Sequence, residues 1–81
     1  MSQPSNKVNI SGRRIAEART AAKPPLTQDD LSARLALLGV QMDRAAVTKV
    51  ENNLLRVLDY ELRAIATVLG VKVDWLLGGA D

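Results

Sequence analysis

Residues 43–52 carry side chains suited to hydrogen bonding with a partner. If this segment is a helix, positions three and four apart share one side of it, which predicts a polar face without large apolar groups. Arginine and lysine donate to guanine edges or phosphates, and hydroxyl or carboxamide groups contact base edges or phosphates. Taken alone, such charges are more typical of a solvated surface than of a binding site. The residues of this face are Arg44, Ala45, Thr48, Lys49 and Asn52.

The chain lacks the side chains on which many catalytic and metal sites depend. It contains no His and no Cys, which excludes a His base, a Cys nucleophile and a Cys-based zinc site. Asp29 and Asp30 are adjacent carboxylates, but neighbouring helix positions do not face each other. Their position favours compensation of a helix dipole instead. We expect no enzymatic activity, no metal and no cofactor.

The length and the uneven charge favour an interaction surface. A chain of 81 residues forms one small domain with little interior for an enclosed site. Residues 1–56 hold nine basic and five acidic side chains, whereas residues 57–81 hold two basic and four acidic ones. One side of the molecule is therefore suited to a polyanion. No bilayer-length apolar run and no signal peptide is visible, so a cytoplasmic protein is expected.

Capping residues and apolar spacing predict short helices, and no segment resembles a strand within a sheet. Asp30 completes a capping box with Thr27. The candidate N-caps are Ser11, Thr27 and Asp43. Residues that tolerate a left-handed helix end are Gly39, Asn53 and Gly70. The helices are expected at about 11–23, 28–38, 43–52 and 59–69, with a final turn from residue 74.

The core must be aliphatic because Tyr60 and Trp75 are the only aromatic residues. Trp75 is expected to fill the core, with a place at a dimer seam as the alternative. Leu54 and Leu55 are expected in the core or at a dimer contact. The helical stripes expected to be buried are Ile15, Ala18 and Ala22; Leu31, Leu35 and Leu38; Val47 and Val50; Leu62, Ile65, Ala66 and Leu69.

Three stretches, Ile15–Arg19, Leu26–Leu31 and Val47–Asn52, follow one another in order along the chain. Together they resemble the Cro/phage-repressor type of helix-turn-helix proteins, the XRE family. The chain departs from the commonest pattern in its longer link at 36–41, as in a longer-turn branch of the family. It also has a longer link at Pro24-Pro25, and Asn53 to Arg56 replace a glycine followed by basic residues. The closing helices are matched by Asp59–Leu62, Leu69–Val71 and Asp74–Gly78.

The resemblance implies an all-α, compact five-helix, lambda-repressor-like DNA-binding domain over residues 11–78. A flexible arm at 1–10 and a tail at 79–81 are expected to flank it. The third helix would enter the major groove of double-stranded DNA. An internal structural pair between Arg19 and Glu51 is also implied. The implied base contacts are Arg44, Ala45, Thr48 and Lys49, and the expected phosphate contacts are Gln28, Asn52, Arg14 and Arg56.

The expected function is that of a sequence-specific transcriptional regulator, and more specifically a repressor. Two copies on a palindromic operator would double the contacts, so a homodimer is expected. The expected dimer contact is either the segment Trp75–Leu77 or Leu54-Leu55. The alternative is an antitoxin-like or other protein-interaction module of the same fold. That module would bind its protein partner through Leu54-Leu55 or the basic helix.

Overall fold

The computed structural model describes residues 8–79, which form five helices around an aliphatic core. No strand occurs within these residues, so the predicted all-α class is confirmed for them. In the same part of the chain, no helix combines the length and apolar character needed to cross a bilayer. The helices are α1 (Gly12–Ala21), α2 (Gln28–Leu37), α3 (Arg44–Glu51), α4 (Asp59–Leu69) and α5 (Val73–Leu76).

The predicted caps of α2 and α3 are confirmed. The hydroxyl of Thr27 accepts from the backbone N–H of Asp30 at 3.0 Å, and the Asp30 carboxylate accepts from the N–H of Thr27 at 2.9 Å. The Asp43 carboxylate accepts from the N–H of Ala46 at 2.8 Å. These bonds satisfy donors that a helix start leaves without a partner, and they fix where both helices begin.

The start of α1 differs from the prediction. Ser11 occupies the N-cap position, but its side chain makes no capping bond. The carboxamide oxygen of Asn9 instead accepts from the N–H groups of Ser11 and Gly12 at 3.0 and 2.9 Å. An Asn side chain readily bonds backbone two residues ahead, and this one provides the cap.

Asn9 also attaches the chain before α1 to the far end of α3. Its amide nitrogen donates to the carbonyls of Val50 and Leu55 at 3.1 and 2.7 Å. The N–H of Val8 donates to the carbonyl of Asn53 at 3.2 Å. Residues 8–9 are therefore tied to the domain, although the sequence predicts a flexible arm there. The remainder of that arm, 1–7, and the end of the predicted tail, 80–81, lie outside the described residues.

Left-handed residues end three helical segments, as predicted. The φ angles of Gly39, Asn53 and Gly70 are 83°, 62° and 69°. The α1 helix ends earlier than predicted, at Ala21, because Ala22 is already extended on the way to the prolines. At these helix ends the chain turns back onto the core.

The link between α2 and α3 is packed rather than loose, and it corrects one predicted core position. The apolar stripe of α2 predicts that Leu38 is buried, but Leu38 is 51% exposed, because the chain leaves the helix there and turns at Gly39. Val40 and Met42 enter the core instead, each 6% exposed. The hydroxyl of Ser32 on α2 donates to the carbonyl of Met42 at 2.7 Å. The longer link thus holds the start of α3 against α2.

The α5 helix also corrects a core prediction. Leu76 is completely buried, whereas Trp75 is only partly buried and packs against the edge of the core. Leu54 and Leu55 are 61% and 37% exposed, so the expectation that they are core residues is wrong. Their other predicted place, at a dimer contact, stays a prediction. The stripe positions Ala22 and Leu69 are partly buried.

We predict that replacing Asp30 with asparagine reduces the acid sensitivity of the domain. The hydrogen bond from the Thr27 backbone N–H, with a second contribution from the Thr27 side chain, lowers the pKa of Asp30 below its ordinary 3.8. A carboxylate with a depressed pKa in the folded state stabilises it above the unfolded pKa. That stabilisation is lost as pH falls through the folded value. Urea unfolding at pH 7 should show the variant less stable, and the gap should close toward pH 3. An equal gap at both pH values would contradict this.

Candidate nucleic-acid interface

The exposed side of α3 gathers the five side chains that the sequence assigned to one face. The opposite side of the helix is anchored by Val47 and Val50, each 1% exposed, so its orientation on the core is fixed. The face itself contains no large apolar side chain. Thr48 is partly buried, and the other four members are exposed: Arg44, Ala45, Lys49 and Asn52.

Behind this face, Arg19 of α1 and Glu51 of α3 form the ion pair that the resemblance implied. Two guanidinium nitrogens of Arg19 donate to the two carboxylate oxygens of Glu51, at 2.7 and 3.0 Å. The side chains are only 14% and 6% exposed. The hydrogen bond to Glu51 raises the pKa of Arg19 above its ordinary value. A third guanidinium bond, to the carbonyl of Leu26 at 2.9 Å, joins this pair to the chain entering α2.

Gln28, at the first position of α2, extends the ion pair toward the exposed face. Its amide nitrogen donates to Glu51 at 3.0 Å, and its amide oxygen accepts from the hydroxyl of Thr48 at 2.8 Å. Arg19, Glu51, Gln28 and Thr48 therefore form one continuous hydrogen-bonded chain. This chain couples the positions of α1, α2 and α3, and it fixes both ends of the Gln28 amide.

The cations of the interface differ in what surrounds them. A guanidinium nitrogen of Arg44 lies 3.8 Å from the carboxylate of Asp29, and both side chains are 69% exposed. An exposed pair of this kind contributes little to stability and is easily exchanged for another partner. Within residues 8–79, Lys49 and Arg56 have no ion pair. The first turn of α2 carries two acidic side chains, Asp29 and Asp30.

The structure does not bring all the predicted phosphate contacts together. Arg56 is exposed in the segment after α3. Arg14 lies elsewhere, because its guanidinium stacks over the ring of Trp75 with 4.7 Å to the centroid. One of its nitrogens also donates to the carbonyls of Trp75 and Gly79, at 2.8 and 3.1 Å. Arg14 thereby attaches α5 to α1, and its predicted phosphate contact is not supported by this placement.

Two features of the interface were not anticipated from the sequence. One is the bond from Gln28 to Glu51, since the sequence implied Glu51 only as the partner of Arg19. The other is Asn9, which holds the end of α3 from behind. Asn is a preferred capping residue just before a helix, so Asn9 could have been found from the sequence. The spacing of residues in the sequence did not predict the bond from Gln28 to Glu51.

In the range 8–79, no group of three or more His, Cys, Asp or Glu side chains is placed to hold a metal ion. No family model matches this chain, and no curated protein matches it either. The geometry of the α3 face therefore carries the functional argument.

Proposed function

We propose that the protein is a sequence-specific DNA-binding transcriptional regulator, acting as a repressor. In this proposal α2, the packed link and α3 form a helix-turn-helix within a lambda-repressor-like domain. The observation that carries it is the exposed polar face of α3, which is free of large apolar groups. The buried pair Val47 and Val50 and the chain through Glu51 and Gln28 hold that face in place.

The physical fit to DNA follows from the size and chemistry of this face. The major groove of B-DNA, about 12 Å wide, admits an α-helix, and each base pair presents a distinct pattern there. Arg44 and Lys49 are exposed donors for guanine edges, and Ala45 allows a close approach. Thr48 lies between them on the same face. We assign base readout to these four residues.

Phosphate contacts would fix the register of the domain on the duplex. Gln28 uses one amide proton on Glu51, so its second amide proton is available to a phosphate oxygen. Asn52 and Arg56 are exposed at and after the end of α3. These three residues are the proposed phosphate contacts, whereas the guanidinium of Arg14 is occupied in holding α5. The protein and its DNA would meet in the cytoplasm.

A second copy of this chain on a palindromic operator is part of the proposal. The segment after α3 and the first turn of α4 expose four large apolar side chains, and two copies meeting there would place their α3 helices near each other. By contrast, the segment Trp75–Leu77 offers little exposed apolar surface. Trp75 stacks against Arg14 and Leu76 is buried, so Leu77, at 44% exposure, is the residue of this segment left to make a contact. The first surface is therefore favoured. Its residues are Leu54, Leu55, Leu58 and Tyr60.

Selection of bound duplexes from a random DNA pool, at near-physiological salt, tests the proposal. Enrichment of a palindrome with half-sites about one helical turn apart would support direct readout by a dimer. Light scattering with and without that duplex would measure the number of copies. Weak, salt-sensitive binding without enrichment would overturn the proposal, because it would mean that the basic face binds polyanions without reading them.

Replacing Lys49 with alanine is predicted to relax base preference at one operator position. Loss of a good base contact costs about 1–3 kcal/mol of discrimination, and the folded domain should be unaffected because Lys49 is exposed. Competition binding with single-base operator variants measures the change. Lys72→Ala is the matched control, since Lys72 is also exposed but precedes α5. An unchanged operator preference in Lys49→Ala would remove Lys49 from the set of base readers.

The exposed apolar residues favour a second candidate function, an antitoxin-like or other protein-interaction module. Leu54, Leu55 and Leu58 are 61%, 37% and 49% exposed and lie close together along the chain, and a contiguous exposed apolar patch is typical of a protein-interaction site. In that case a protein partner would co-purify with the chain, and substituting Leu54 with serine would release it. DNA binding would then be weak and indifferent to sequence. The pool selection described above separates the two functions.

A further inference from the structure

We infer that Thr48 selects a base that presents an amino group in the major groove, adenine or cytosine, at one position of each half-site. The inference rests on the proposed function, since it concerns what the α3 face reads. It follows from the directions of the hydrogen bonds behind that face. These leave the Thr48 hydroxyl able to accept a hydrogen bond from DNA but unable to donate one.

The direction of each hydrogen bond in this row of side chains is set by Glu51, because its carboxylate can only accept. The carboxylate of Glu51, paired with Arg19, has oxygen acceptors and no proton to give. Gln28 must therefore turn its amide nitrogen toward Glu51, which turns its amide oxygen toward Thr48. An amide oxygen also only accepts, so the Thr48 hydroxyl is the donor of that 2.8 Å bond.

The other neighbour of this hydroxyl leads to the same conclusion. The Thr48 oxygen lies 3.0 Å from the backbone carbonyl of Arg44, one turn earlier in α3. A carbonyl also only accepts. The single hydroxyl proton is thus committed inside the protein whichever of the two oxygens it points to. One lone pair of the hydroxyl oxygen remains for an outside donor.

In the major groove, the bases differ in whether they present a hydrogen-bond donor. Adenine and cytosine present amino donors there, at N6 and N4, whereas guanine presents N7 and O6 and thymine presents O4 as acceptors. Phosphate oxygens are acceptors as well. An acceptor-only hydroxyl therefore gains a hydrogen bond only from adenine or cytosine on the strand that it contacts. Guanine or thymine at that place would set two acceptors against each other.

The experiment compares pool selections by the wild-type protein, Thr48→Val and Thr48→Ser. Valine keeps the shape of threonine and removes the hydroxyl, whereas serine keeps the hydroxyl and removes the methyl group. The wild type should enrich adenine or cytosine at one half-site position, and valine should abolish that preference there. The serine variant should restore it. The expected discrimination is about three- to tenfold, as for one neutral hydrogen bond.

A second measurement uses the wild-type protein, so it does not depend on the folding of any variant. In the selected operator, the adenine is replaced by purine, or the cytosine by 2-pyrimidinone, which exchanges the amino group for hydrogen. Affinity should fall by a similar factor of about three to ten. Replacement of an adenine or cytosine outside the half-sites is the control.

The outcomes separate this inference from the function on which it rests. An enriched operator whose Thr48-dependent position is guanine or thymine overturns the inference and leaves the proposed function standing. The inference alone also fails if Thr48→Val alters no position, or if loss of the amino group leaves wild-type affinity unchanged. A wild-type protein that enriches no sequence overturns the proposed function, and the inference fails with it.

Discussion

Replacing Glu51 with alanine is expected to lower the free energy of unfolding by about 3–5 kcal/mol. The carboxylate accepts from two nitrogens of Arg19 and from the amide of Gln28, and it is 6% exposed. Its removal leaves a guanidinium, itself 14% exposed, without its counter-charge. A domain of this size is typically stable by only about 4–12 kcal/mol. The loss is therefore a large fraction of the stability of the domain.

A series of variants separates the charge from the hydrogen bonds. Glu51→Gln retains an oxygen acceptor but removes the counter-charge, so its stability should lie between those of the wild type and Glu51→Ala. Arg19→Met combined with Glu51→Met removes both charges at once. A buried ion pair replaced by apolar groups costs far less than one broken from a single side. The double variant should therefore be more stable than Arg19→Met or Glu51→Met alone.

Urea unfolding followed by circular dichroism measures the series, and the four proteins of the Met cycle give the coupling energy between the two positions. Arg13→Ala is a suitable control, because that side chain is 87% exposed and its ion pair with Glu17 is long, at 3.9 Å. It should change stability by less than about 0.5 kcal/mol. If the double variant loses as much stability as the sum of the losses in Arg19→Met and Glu51→Met, the two side chains do not stabilise each other, and the expected coupling is contradicted.

Local signals in the sequence were sufficient for most of the helix boundaries. The capping box at Thr27, the cap at Asp43 and the left-handed Asn53 depend on bonds between residues a few positions apart. The helical period of residues 44–52 likewise places the polar side chains on one face. These features follow from the geometry of a single helix and its ends.

Features set by packing between distant segments could not be read from spacing. Leu38 fits the apolar period of α2, but the left-handed Gly39 redirects the chain, so Val40 enters the core instead. The position of Arg14 at the start of α1 predicted a phosphate contact, yet its partner Trp75 is 61 positions away in the sequence. The commitment of the Thr48 proton depends on three helices at once. Tertiary structure decided each of these cases.

Gly12 is another residue whose role is set by packing between distant segments. Replacing it with alanine is expected to lower the free energy of unfolding by about 3 kcal/mol, at the upper end for overpacking. A Cβ atom at Gly12 would meet the backbone carbonyl oxygen of Val50 well inside contact distance. It would also lie 2.9 Å from the carbonyl oxygen of Glu51 and 2.7 Å from the side-chain oxygen of Asn53. Backbone atoms of a helix end cannot rotate away, so α1 and α3 must separate.

Gly39→Ala is the matched control, because its cost has a different cause. Gly39 has a φ of +83°, but nothing lies within 4 Å of a Cβ there, so only the left-handed conformation of the backbone is strained. That strain costs about 1–2 kcal/mol for alanine. Thermal and urea unfolding should therefore rank Gly12→Ala as less stable than Gly39→Ala. The reverse ranking would mean that α1 and the end of α3 can move apart at little cost, and the α3 face would then not be held rigidly from behind.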